Sequence, residues 1–210
     1  MSQIAMVDYG MGNRRSVMKA FERIGGDLVQ TADHERLRAA DGLVLPGVGA
    51  FPEAMRRLRA LGLDAVVRER ADAGVPLIGL CLGMQLLFER SEEHEGAAGL
   101  GLLPGRIVRL EAGELKLPHI GWNSVSWQRA SPLIAGLPDP AAFYHVHSFV
   151  VDSADDSIVL GIGEYGSPFV SFVAHANVYG AQCHPEKSST EGLALLRNFV
   201  GICATVHAAS

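Results

Sequence analysis

Short apolar runs alternate with helical periodicity through the first part of the chain. Ile4 to Tyr9 reads as a buried strand, and Ser16 to Ile24 as a helix stopped by Gly25-Gly26. Asp27 to Thr31 and Gly42 to Leu45 repeat the strand pattern, the latter closing on Pro46-Gly47-Val48-Gly49. Pro52 starts a helix that turns Met55, Leu58 and Leu61 inward and Arg56, Arg57 and Arg59 outward. A polar helical run through Arg68-Glu69-Arg70 ends at Gly74, and Pro76 to Leu80 is a fourth short apolar strand. Strands alternating with helices predict βαβ units and a parallel sheet.

From Arg106 the pattern changes to strand after strand: Arg106 to Leu110, Ile120 to Trp127, Ala142 to Val151, Ile158 to Gly163, Phe169 to Ala174 and Val178 to Cys183. Ala176-Asn177 supplies a hairpin turn between the last two. A final helix carries Leu193, Leu196, Phe199, Val200 and Cys203 at helical spacing, with Ser188 and Glu191 at capping-box spacing before it. No repeat, low-complexity tract or long linker divides the chain. The expectation is one α/β domain over residues 1–210 with an added mixed or antiparallel section.

Composition narrows the function classes. Eighteen basic against twenty-three acidic residues give a net charge of -5, which argues against a dedicated nucleic-acid binder. No apolar run approaches the length of a membrane span. The N-terminal MSQIAMVDYG enters a strand with no basic leader or cleavage pattern. Three cysteines, Cys81, Cys183 and Cys203, do not suggest a disulfide framework, so a reducing cytoplasmic setting is expected.

The chemistry concentrates at Gly79-Leu80-Cys81-Leu82-Gly83, the cysteine counterpart of a hydrolase nucleophile elbow. Small flanking residues permit the tight turn, and the following helix N-terminus favours a thiolate and offers an N–H to an oxyanion. On the elbow alone, a nucleophile and a buried core cysteine remain equally open readings. A nucleophilic thiol needs a base. His34, His94 and His207 fall in polar or terminal stretches and read as surface residues, while His119, His145, His147 and His175 sit among strands where packing or backbone hydrogen bonding explains them. His184 differs: Gln182-Cys183-His184-Pro185-Glu186 places it at a strand's C-terminal end, where open α/β sheets keep their sites. Glu186 lies on the same side of an extended chain and could fix the imidazole tautomer. Pro46-Gly47-Val48-Gly49, also at a strand end, is a candidate oxyanion loop. Gly10-x-Gly12 is only half a dinucleotide fingerprint, since Arg15 takes the third glycine position. His145-x-His147 and Cys183-His184 lack the spacings of established metal sites, and no metal is expected.

With these residues placed, the sequence resembles the class I, triad-type glutamine amidotransferases. Asp8-Tyr9-Gly10-Met11-Gly12-Asn13, Leu45-Pro46-Gly47-Val48-Gly49, Pro118-His119-Ile120-Gly121-Trp122-Asn123, His147-Ser148 and His184-Pro185-Glu186-Lys187-Ser188 are similar in particular to the glutaminase subunits of imidazole glycerol phosphate synthase. The matching stretches run from the first strand to the last helix.

The resemblance implies a flavodoxin-like α/β fold, with a mixed central sheet flanked by helices and an added smaller antiparallel section. It implies that Cys81 attacks the side-chain amide of L-glutamine to form a thioester, that His184 carries the proton to departing ammonia, and that Glu186 orients His184. The N–H of Leu82 and one from Gly47, Val48 or Gly49 would form the oxyanion hole. Gln85 and Glu93 would hold the amino acid end of the substrate, opposite the backbone of His147, Ser148 and Phe149. No cofactor is implied. Ammonia would pass into a (β/α)8-barrel cyclase subunit of a heterodimer serving histidine biosynthesis, with Tyr144, Lys187, Trp122 and Asn123 near the interface. The Arg56, Arg57 and Arg59 face reads as a docking surface or as a solvated helix face. This chain departs from the family's pattern in having Cys183 before His184, and His145 and Phe149 where other aromatic residues are common. Two rival readings remain: the glutaminase of another ammonia-using synthase, such as pyridoxal phosphate synthase, and a non-enzymatic flavodoxin-like binding module. The second would show Cys81 buried and distant from His184.

Overall fold

In the computed structural model, residues 3–153 and 155–209 are described, with side chains through 205. The apolar runs of the first half become strands because both of their faces are covered. In β1 (Ile4–Val7), Ile4 and Met6 enter one core while Ala5 and Val7 enter the other. Helix α1 (Arg14–Arg23) leads to β2 (Leu28–Thr31), and α2 (His34–Ala39) to β3 (Gly42–Gly47). Helices α3 (Phe51–Ala60) and α4 (Leu63–Asp72) precede β4 (Leu77–Cys81), which runs directly into α5 (Leu82–Leu86). These four strands pair in parallel in the order β2-β1-β3-β4. Leu43, Leu45 and Leu77 face the core built with α2, α3 and α4; Val44, Ile78 and Leu80 face the core shared with α1.

The second half supplies β5 (Phe88–Ser91), β6 (Ala97–Ala98), β7 (Leu103–Arg109), β8 (His119–Trp127), β9 (Ala141–His147), β10 (Phe149–Asp152), β11 (Val159–Tyr165), β12 (Ser167–His175) and β13 (Val178–Ala181), then α6 (Ser189–Ala209). β13 lies parallel to β4, and β12, β11, β8 and β9 extend the same sheet antiparallel beyond it. β10, β7, β5 and β6 form a second, smaller sheet. The fold is thus a mixed α/β one with a large mixed sheet and a small second sheet. Leu195, Leu196, Phe199 and Cys203 of α6 close the core over α1. Among the described residues, no helix is long and apolar enough to cross a membrane.

Two local expectations change, and one helix stands where the sequence pattern offered no element. The run from Ala142 to Val151 is two strands, not one. β9 stays in the large sheet, the chain breaks at Ser148, and β10 joins the small sheet, with His147 Nδ1 meeting Phe149 O at 3.1 Å across the break. Ser188 does not act as a capping-box residue through its hydroxyl. That group is fully buried, accepts from Tyr144 N at 3.0 Å and donates to His184 O at 2.7 Å, so it ties β9 to the chain after β13. The polar sequence of α2 also conceals a helix, since only Leu37 is buried in it and Asp33 caps it through Arg36 N at 2.9 Å.

Candidate active site

The turn at Cys81 is imposed by backbone crowding. Cys81 has φ 54° and ψ −113°, a conformation that L residues rarely adopt. A Cβ on Gly83 would come within 1.8 Å of Leu45 O, and one on Gly79 within 2.5 Å of Gly83 O. The β3–β4 register sets Gly47 opposite Cys81, where a Cβ would lie 2.8 Å from Gly83 N. Strand ends and α5 therefore meet backbone to backbone, and glycine is required for that approach. Helix α5 spans only five residues, so the local N–H groups matter here more than a long helix dipole.

Cys81 lines a cavity of about 250 Å³ with Val48, Gly49, Leu82, Gln85, Glu93, His147, Ser148, Phe149 and His184. That volume lies below the range of drug-sized ligand pockets and suits a small metabolite. Cys81 is 7% exposed and shares this space with His184, unlike the isolated cysteine that a binding module would show. His184 follows β13, with its N–H donating to Tyr144 O at 2.8 Å. Its Nδ1 lies 2.9 Å from Glu186 Oε1, and both side chains are withdrawn from solvent. Burial pulls the imidazole down, but hydrogen bonds and charge from Cys81 and Glu186 outweigh it and raise the His184 pKa to about 10. Cys183, by contrast, faces the core away from the cavity, and burial pushes its thiol well above the usual range.

Gly47 does not line the cavity; Val48 and Gly49 do, and Gly49 has φ +106°. Tyr9 holds this loop from behind by donating its hydroxyl to Pro46 O at 2.6 Å. Glu93 turns out of its acidic loop: its Oε2 accepts from Phe51 N at the start of α3 at 2.8 Å, whereas neighbouring Glu92 pairs with Arg106. Gln85 Nε2 donates to Phe149 O at 3.1 Å and to Gln182 Oε1 at 2.9 Å. Gln182 carries no expectation from sequence, although it lies two residues before His184 and so on the same side of the chain.

Behind the cavity, His119 stacks between Tyr165, with ring centroids 4.0 Å apart, and His145 at 5.4 Å. His147 Nδ1 donates to Phe149 O, so its Nε2 accepts from His119 Nδ1 at 3.1 Å. Burial, with repulsion from neighbouring histidines, lowers His145 to about 3 and His147 to about 4, and burial lowers His119 as well. These rings are neutral spacers, and His145 is explained by packing together with hydrogen bonds from Nδ1 to Phe143 O at 3.1 Å and between Nε2 and Ser171 Oγ at 2.8 Å. His207 lies outside the described side chains. Among the described residues no group of three or more His, Cys, Asp or Glu is arranged to hold a metal ion.

On the outer surface Trp122 meets Tyr144 edge-on at 6.2 Å, and Lys187 Nζ stands 6.0 Å from the Tyr144 ring centroid. Asn123 turns away and donates to Glu164 O at 2.8 Å, bracing β8 to β11. Arg56 and Arg57 pair with Glu53 on their own helix, and Arg59 donates to Ala98 O at 2.8 Å.

A cysteine elbow, a histidine–glutamate pair and a glycine loop at the carboxyl ends of β3, β4 and β13 are the parts of a cysteine amidohydrolase. The family described as Glutamine amidotransferase class-I matches residues 5–203, and the chain belongs to it. The solved structure of PurLQS from Thermotoga maritima holds a chain of the same fold, with a TM-score of 0.75. That chain is 20% identical, over 96% of this chain and 99% of its own length. More particularly, the protein falls among the HisH subunits of imidazole glycerol phosphate synthase. Those of Bacillus cereus and Moorella thermoacetica are 51% and 49% identical over 199 residues, 95% of this chain and 94% of each relative.

Proposed function

We propose that this chain, as a single domain, is the glutaminase subunit of an imidazole glycerol phosphate synthase, hydrolysing L-glutamine and supplying ammonia to a cyclase subunit. The observation that carries the reading is the convergence of Cys81 and the His184–Glu186 pair on one small cavity. Cys81 Sγ, as thiolate, attacks the amide carbon of glutamine. The oxyanion is held by the Leu82 N–H and one from Gly47, Val48 or Gly49. His184 gives its proton to the amide nitrogen as the C–N bond breaks, releasing ammonia and leaving a glutamyl thioester. Water then attacks the thioester, His184 takes its proton, and glutamate leaves with the thiolate restored. With Nδ1 bonded to Glu186, the imidazole keeps its other nitrogen for these transfers.

Gln85 and Glu93 hold the amino acid end of the substrate against the backbone of His147, Ser148 and Phe149. Ammonia passes to a (β/α)8-barrel partner that seats on Trp122, Tyr144 and Lys187. Asn123 supports that surface from behind. Neither a cofactor nor a nucleic acid takes part. Three free cysteines are consistent with work in the cytoplasm.

The experiment is glutamate release from glutamine by the full chain, with and without the barrel cyclase and its nucleotide ligand, beside Cys81→Ala. Turnover that needs Cys81 and rises with the loaded cyclase is expected. The rise is expected if docking turns an oxyanion donor inward at Val48 and Gly49, where Val48 is 40% exposed and Gly49 has φ +106°. Cys81-dependent turnover indifferent to that partner would point to another ammonia acceptor, and none at all would remove the catalytic reading.

A further inference from the structure

Gln182 is fully buried, and its carboxamide is used at both ends. Oε1 accepts from Gln85 Nε2 at 2.9 Å, and Nε2 faces Cys81 Sγ at 3.9 Å. The direction of this chain of hydrogen bonds is set by a main-chain carbonyl. Phe149 O can only accept, so the Gln85 atom 3.1 Å from it is the amide nitrogen. The second proton of that nitrogen goes to Gln182 Oε1, which turns the Gln182 NH2 group toward the sulfur. The same carbonyl accepts from His147 Nδ1, so two chains are polarised from one point.

At the sulfur, beside the titratable His184, Tyr9 and Cys183, two uncharged groups oppose each other. Val146 O lies 3.8 Å from Sγ and can accept from a protonated thiol, which stabilises the S–H form. The Gln182 N–H can donate only to sulfur lone pairs and is strengthened when the sulfur is charged. Replacing Gln182 by an apolar side chain would leave Val146 O facing the sulfur without that counterweight, and would release Gln85 from one of its two acceptors.

We propose that Gln182 is a positioning residue of the glutaminase site: its N–H favours the thiolate of Cys81 against the Val146 carbonyl, while its side-chain oxygen aims Gln85 into the cavity. The inference rests on the reading of Cys81 as nucleophile.

The test uses the full chain as wild type, Gln182→Met and Gln182→Glu. The rate of Cys81 alkylation by iodoacetamide is followed by mass spectrometry across pH, and glutamine turnover is measured with the cyclase present. In Gln182→Met, alkylation at pH 7 should slow about tenfold and its acid limb move up by about one pH unit. KM for glutamine should rise as Gln85 loosens. Gln182→Glu retains an acceptor for Gln85 but no N–H, so its alkylation should slow at least as much while KM stays closer to wild type. A residue that merely fills space would lower the melting temperature without moving the profile. Profiles of folded variants that coincide with wild type overturn the inference, and either variant alone suffices to decide it. Failure of the glutaminase reading is distinct: wild type would release no glutamate, whatever the alkylation profiles did.

Discussion

His184 Nδ1 and Glu186 Oε1 lie 2.9 Å apart across the turn opened by Pro185, with side chains 6% and 1% exposed. In so dry a setting an imidazolium is sustained only by its neighbours, here Cys81 and Glu186. Removing either neighbour should therefore affect both the chemistry and the dependence of stability on pH.

Glu186→Gln should reduce kcat for glutamine hydrolysis about 10³- to 10⁴-fold, the scale of losing the carboxylate behind a catalytic histidine. The linkage has a definite sign. His184 titrates near 10 in the fold against 6.5 ordinarily, so its contribution to stability is full below about pH 6.5 and lost as pH rises through about 10. Urea midpoints of wild type should fall across that window more steeply than those of Glu186→Gln; parallel curves would contradict the pairing.

Cys81→Ser should abolish glutamine hydrolysis and leave partner binding intact. The complex should then still form cyclase product from ammonium salts. Absence of product with ammonium would refute the division of labour between the two subunits.

Gly83→Ala should cost about 3 kcal/mol or prevent folding, because its Cβ would fall 1.8 Å from Leu45 O in a backbone-to-backbone contact. Gly74→Ala is the control: φ is +82° but nothing lies within 4 Å of the added Cβ, so only the strain of a left-handed alanine remains, about 1 kcal/mol. Urea unfolding separates the two, and equal losses would mean that β3 gives way around Leu45 and that crowding does not demand glycine at 83.

The buried histidines predict acid sensitivity. His145 titrates near 3 in the fold and near 6.5 when unfolded, so stability is full above about pH 6.5 and declines as pH falls toward 3. His145→Gln, neutral at every pH, should flatten the slope between pH 6.5 and 5 by on the order of 1 kcal/mol per pH unit. An unchanged slope in denaturant titrations would assign the acid loss to other groups.

Trp122 is 54% exposed although its ring rests on Tyr144. Trp122→Ala should weaken cyclase binding by roughly 2 kcal/mol, about thirtyfold in Kd, with little change in melting temperature. Titration calorimetry showing equal affinity would move the docking surface elsewhere.

Much of this was legible along the chain. Three of the four parallel strands, β1, β3 and β4, were readable from Ile4, Leu43 and Ile78 and their neighbours, because a strand buried on both faces must be apolar without interruption. Gly79-Leu80-Cys81-Leu82-Gly83 and His184-Pro185-Glu186 were readable because a tight elbow and a same-side histidine–glutamate pair are local features, fixed within a few residues. Only the tertiary structure decided that Cys81 and His184 share a cavity, and that Ala142 to Val151 divides between two sheets at Ser148. It also spent the Ser188 hydroxyl on β9 rather than on a helix cap and placed Gln182 between Gln85 and Cys81. Those assignments depend on hydrogen-bond partners distant in sequence, and a polar side chain's partner, unlike an apolar residue's preference for burial, is chosen only when the strands come together.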